Sequence, residues 1–277
     1  MTSGERAGAT RASVWLAGDP APKRKAEQAQ RKQGGGQEQK AGTLDRQRIV
    51  EATVRLLDAD GLAKFSMRRL ADELDVTAMS VYWYVDSKDD LLEFALDEVN
   101  GEMVVPDPAA GGGDWREELR ALAVEYRKLL VTHPWVPSLL GRYLNVGPHA
   151  MAFSDAILAV MRRGGMSREG TSGALSAVFQ FVYGFSAVEG LFKERCRGTG
   201  LTEDEYYQQV LRAVNDRPDF AERHPEALAM SKDLTRTTLA EARQRDFDFA
   251  LDTVIAGIEV MRDRGGAVRD RAGAGRS

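Results

Sequence analysis

The sequence predicts an all-α fold in two parts, an N-terminal three-helix helix–turn–helix domain and a larger helical domain. Three observations carry this. Past residue 44, apolar residues recur at three- and four-residue intervals, and no stretch alternates as a strand does. Helix stops such as Gly61 and the Pro106–Gly113 run fall between those stretches. Residues 66–88, SMRRLADELDVTAMSVYWYVDSK, hold two short helical patterns around one tight turn.

Residues 1–43 are rich in Gly, Gln, Ala and Lys and carry no periodic apolar face, so they are expected to be a disordered basic tail. Ser13-Val14-Trp15-Leu16 is an apolar island within it that could dock elsewhere. Leu44 to Asp60 is amphipathic through Ile49, Ala52, Leu56 and Leu57, and Gly61 ends it. Ser66 can cap a helix to about Leu74 whose apolar face is Met67, Leu70, Ala71 and Leu74. Asp75 marks the turn, since Asp tolerates left-handed backbone. Thr77 then caps a second helix, about Ala78 to Val85, with Val76 and Val81 facing back onto the first. Ser87 caps a connecting helix, which closes a unit spanning 44–100.

Val104 to Asp114 breaks the pattern, and a second domain spans 115–262. Its first helix has the stripe Leu119, Leu122, Ala123, Tyr126, Leu129, Leu130, and His133-Pro134-Trp135-Val136-Pro137 interrupts it. Met151–Met161, Ser172 to about Lys193, and Asp246–Met261 are further helices. Residues 215–227, with Pro218 and Pro225, read as irregular, and 263–277 as a disordered polar tail.

Composition limits the function. The chain has 277 residues, a net charge of −4 and one cysteine, Cys196, so an internal disulfide is excluded. Residues 44–90 carry seven Lys/Arg against ten Asp/Glu, whereas residues 1–43 carry eight against four. Broad coating of nucleic acid is disfavoured, and a specific binder with few phosphate contacts is not. No apolar run is read as approaching the ~18–20 residues of a membrane span and no signal sequence is read, so a cytoplasmic protein without a membrane partner is expected. Three scattered histidines, with no phosphate loop or nucleophile elbow, point away from an enzyme, a metal site or a cofactor.

Tyr82, Trp83 and Tyr84 fan over most of a helix circumference, so one buried stripe cannot absorb all three. An outward aromatic beside Arg68-Arg69 is a contact surface, and DNA fits it. The segment resembles the TetR family of repressors in Ile49-Val50-Glu51-Ala52 through Leu57 to Gly61, and in Ser80, Tyr82, Val85, Lys88, Leu91 and Leu92. The Tyr82-Trp83-Tyr84-Val85 run is similar to the tetracycline-repressor branch in particular. The resemblance implies that the second helix enters the major groove of a double-stranded operator. Thr77, Ala78 and Met79 would then reach base edges, and Arg68 could bond guanine. Ser80, Tyr82, Tyr84 and Lys88 would hold phosphates.

Residues 115–262 also resemble the tetracycline-repressor-like C-terminal domain, notably in Leu175–Val178, Tyr183-Gly184-Phe185 and Asp246–Glu259. That implies a homodimer and a small-molecule effector. The helix around Phe179, Phe181, Tyr183 and Phe185 is apolar on more than one face, as a helix buried by a partner subunit or a ligand would be. Phe179 and Tyr183, with His133, Trp135, Tyr143, His149 and Gln180 as polar tips, are the candidate effector contacts. Counted from Trp115, His133 falls where the tetracycline repressor places its magnesium-binding His. The repressor's other two polar drug contacts fall at Leu122 and near Val104. A lone His makes no divalent site, so the expected effector is mainly apolar and is not magnesium-tetracycline. The expected function is a ligand-responsive repressor. The alternative is a constitutive helix–turn–helix DNA binder with no inducer.

Overall fold

The computed structural model describes residues 13–17, 44–106, 113–234 and 237–274. Among these it contains twelve α-helices and no strand. The rest of the tail within 1–43, and residues 275–277, lie outside the described residues. The chain divides into two compact units, one of residues 1–110 and 132–157 and the other of 111–131 and 158–277. Residues 132–157, which the sequence assigns to the second domain, thus cluster with the first unit.

In the first unit, α1 (Arg46–Asp60) is capped by Asp45 and stops at Gly61, whose φ is +78°. Only glycine takes that backbone without strain. Helix α2 (Met67–Glu73) is capped by Ser66, and α3 (Ala78–Val81) by Thr77, whose Oγ1 accepts from the Ser80 N–H. Asp75 between them has φ +54°, the left-handed turn its side chain allows. The α3 helix is shorter than the sequence suggests: beyond Val81 the chain continues in turns to Tyr84. Helix α4 (Lys88–Asn100), capped by Ser87, packs along α1. Ile49, Leu57, Leu70, Leu91, Leu92 and Leu96 are fully buried and form the core. The short α6 (Val136–Leu140) packs on α4, and the first residues of α7 (Pro148–Arg163) complete the unit.

Helix α4 is buried nearly all round, including its polar residues Asp90, Glu93, Asp97 and Asn100. Burying such groups costs several kcal/mol unless partners are found. Asp97 accepts from the backbone N–H groups of His149 and Ala150, at 3.3 and 3.0 Å, and so caps the open start of α7. Asn100 donates to Leu96 O at 2.7 Å and to Asn145 Oδ1 at 3.2 Å. Glu93 takes the Ser13 hydroxyl.

The second unit holds α5 (Trp115–Thr132, up to Val131), the end of α7, α8 (Arg168–Arg197), α9 (Glu203–Asn215), α10 (Phe220–Arg223), α11 (Pro225–Leu234) and α12 (Leu239–Ala274). Two expectations are corrected here. Residues 215–227 are largely helical, and the backbone after Gly265 continues α12 to Ala274. Helix α8 packs along α12, where the Phe247 ring meets Phe181 at 5.5 Å and Phe185 at 5.4 Å; Val178 and Val182 on α8 and Leu251 and Ile255 on α12 are buried. Arg127 braces three helices: it meets Glu189 at 3.0 Å and Gln244 at 2.9 Å, and lies over the Phe247 ring.

One composition reading also needs correction. No Asp, Glu, Lys or Arg stands between Glu169 and Glu189, and by length and composition alone α8 could cross a membrane. Its Ser, Gly and Gln residues break the run to the eye without adding charge.

Candidate nucleic-acid interface

The helix–turn–helix presents a defined outer face. Thr77 and Arg68 are exposed, Met79 is 64% exposed, Tyr82 is 37% exposed, and Ala78 and Ser80 are half-buried. The Thr77 and Ser80 hydroxyls are 2.9 Å apart, so the cap fixes both at the helix start. Val81 and Val85 point inward and are buried. The predicted base-reading residues Thr77, Ala78 and Met79 therefore lie together on the first turn of α3, which the Thr77 cap holds in place.

Two predicted phosphate contacts are engaged within the protein. The Tyr84 hydroxyl donates to Leu44 O at 2.7 Å and ties the end of the motif to the entrance of α1. Lys88 Nζ donates to Phe65 O at 2.9 Å and lies 5.2 Å from the Phe65 ring centroid. Arg69 pairs with Asp60, which leaves Arg68 as the more available guanidinium of the two.

The candidate effector residues divide between the units. In the first unit, His133 is buried, its ring nitrogens 2.7 Å from Asp58 Oδ1 and 3.0 Å from Glu102 Oε2. Trp135 Nε1 donates to the same Asp58 oxygen at 2.7 Å. Burial works against a charge on His133, but the hydrogen bonds and negative charge of Asp58 and Glu102 outweigh it, and its pKa is raised. These two side chains are thus committed to joining α1, the end of α4 and α6. Sequence reasoning missed Asp58 and Glu102, because partners 75 and 31 residues away leave no local pattern. Tyr143 donates to Asp89 at 2.7 Å, and burial, then Asp89, raises its pKa. His149 is exposed.

In the second unit, Phe179 meets the Tyr126 ring edge-on at 5.3 Å. Burial, with Tyr183 beside it, raises the Tyr126 pKa. Phe179 and Tyr183 lie partly inward, whereas Gln180 is exposed on another face of α8 with Gly173, Ala177, Gly184, Val188 and Leu191.

Residues 49–95 match the family model of bacterial regulatory proteins of the tetR family, and residues 107–262 that of the tetracyclin repressor-like C-terminal domain. The chain belongs to the TetR family. It is a DNA-binding transcriptional regulator built from the family's two modules. A transcriptional repressor of Streptomyces coeruleorubidus, DrrR1, is 32% identical over 79% of this chain and 78% of its own length. A helix–turn–helix regulator of Saccharopolyspora erythraea is 38% identical over 55% of this chain and 64% of its own length, so the match spans less than two thirds of that relative. Among solved structures, the TetR family protein ActR of Streptomyces coelicolor in complex with actinorhodin is 26% identical. That match has a TM-score of 0.63 and covers 79% of this chain and 98% of ActR.

Proposed function

We propose that this TetR-family regulator is a homodimeric repressor that leaves a palindromic operator when a small, mainly apolar molecule binds its second unit. The observation that carries the DNA reading is the outward first turn of α3. Thr77, Ala78 and Met79 stand there with Arg68 alongside, on a turn held by Asp75 and a cap held by Thr77. Two such heads would read half-sites centred about 34–36 Å apart, or a multiple of that turn. Tyr82 and Ser80 would contact phosphate and set register.

Dimerisation is supported by two uncovered stripes in the second unit. On α8, Gly173, Ala177, Gly184, Val188 and Leu191 recur at helical spacing, with Val188 and Leu191 69% and 66% exposed. On α12, Phe249 is 75% exposed, and Ala256, Val260 and Met261 follow it on the surface. A groove of about 780 Å³ between the two helices continues these stripes through Gly173, Ala177, Gly257 and Met261. Small residues on one helix admit large ones from another, and an apolar face of this kind marks an interface.

Effector response is supported by ActR, which is known in complex with actinorhodin, and by the aromatic group Tyr126, Phe179 and Tyr183 between α5 and α8. The purified protein should retain a palindromic fragment from its source genome, and a panel of aromatic compounds should release it. Retention that no compound reverses would favour a constitutive binder, and failure to retain any fragment would defeat the DNA assignment.

A further inference from the structure

We infer that residues 13–17 are an intramolecular clip that fastens onto the connecting helix α4 and positions the DNA-reading head. The segment is a single 3-10 turn, Val14–Ala17, far in sequence from the helices it touches. Ser13 and Val14 are each only 1% exposed. The Ser13 hydroxyl donates to the Glu93 carboxylate, 80 residues away, and the Val14 backbone N–H donates to the same group. The Trp15 ring meets Phe94 edge-on at 5.1 Å. The Arg46 guanidinium also lies over the Phe94 ring, at 5.2 Å.

Physical chemistry explains why this contact is specific. Glu93 is 6% exposed on α4, near Asp89 and Asp90, and burial raises its pKa. A carboxylate in that place needs donors, and the clip supplies two. Phe94 is an aromatic face that Trp15 covers in the geometry ring quadrupoles favour. Two contacts lie side by side: Ser13 meets Glu93, and Trp15, two residues on, meets the next residue of α4, Phe94.

The clip bears on DNA reading through Arg46. Phe94 is shared between Trp15 and Arg46, the first residue of α1. Just before it, Leu44 O receives the Tyr84 hydroxyl from the end of the reading motif. Fastening Phe94 therefore braces the start of α1, to which the reading segment is tied. A head held in place before binding loses less conformational freedom on the operator.

The affinity half of this proposal rests on the DNA-binding reading, whereas the docking half does not, so two readouts separate them. In the full-length chain, Trp15→Ala and Ser13→Ala should each raise amide hydrogen exchange in residues 88–95 by about tenfold. Ser13→Asp should do so more strongly, because it sets a second carboxylate against Glu93. Trp15→Phe, which keeps an aromatic edge for Phe94, should restore most of the protection. The Trp15→Ala chain should bind the operator selected by wild type about three- to tenfold more weakly, with the same sequence preference and the same oligomeric state. Unchanged exchange in α4 would overturn the clip, and raised exchange with unchanged operator affinity would overturn its positioning role. A wild-type protein that retains no DNA would defeat the regulator reading, and the exchange measurement would still decide whether the clip fastens.

Discussion

Replacing His133 by Ala removes the imidazole that bonds Asp58 and Glu102 and joins α1, the end of α4 and α6. His133 is 3% exposed, with Asp58 and Glu102 at hydrogen-bond distance from opposite ring nitrogens. A hydrogen bond to a charged group contributes about 1.5–3 kcal/mol when sheltered. The Glu102 side chain is 54% exposed, so water screens its bond almost fully, and Asp58, at 33%, keeps a larger share. Asp58 also retains the Trp135 indole after the substitution. The net loss is then about 2 kcal/mol, or about 4–8 °C in Tm for a unit of this size. The sign with pH follows from the raised pKa. The folded protein holds this proton more tightly than the unfolded chain, so the contribution is complete below the unfolded value near ~6.5 and fades as pH rises through the folded one. Urea unfolding of wild type and His133→Ala at pH 6 and pH 9 measures this directly. The gap between them should be widest at pH 6 and shrink at pH 9. An equal gap at both pH values would mean that packing accounts for the whole effect and that the charge on His133 does not.

Three further outcomes are expected. A Cβ at Gly147 would lie 2.2 Å from Asp97 Oδ1, so Gly147→Ala should displace the carboxylate from the start of α7. It should cost about 1–2 kcal/mol, the size of a lost cap, seen as a lower Tm. Arg68→Ala should weaken operator binding by about 1–3 kcal/mol and relax preference at one base pair, whereas Tyr82→Ala should weaken all operator variants alike, both read by binding to a mutated operator set. Phe249→Glu places a charge on the exposed α12 stripe and should yield a monomer in sedimentation at micromolar concentration while helix content by circular dichroism stays unchanged.

What the sequence determined by itself was everything set by neighbours along the chain. Caps at Ser66, Thr77 and Ser87, the left-handed Asp75 and the stop at Gly61 depend on one side chain and the backbone a few residues away, and all were readable. So was the inward Val81, because helical period fixes its face; Val76, read as inward with it, is only half-buried. The tertiary structure decided which polar groups pair across distance. The Ser87 cap marks where α4 begins, but nothing local foresees that Asp97 caps α7 or that Glu93 receives Ser13. Periodicity cannot tell a histidine that meets a ligand from one whose two nitrogens are already occupied by Asp58 and Glu102. Nor could it choose between Tyr84 as a phosphate contact and Tyr84 as the tie to Leu44. Burial makes each such pairing obligatory, since a polar group removed from water must find a partner. Which partner is available depends on how α1, α4, α6 and the clip come together, and no window of sequence contains that arrangement.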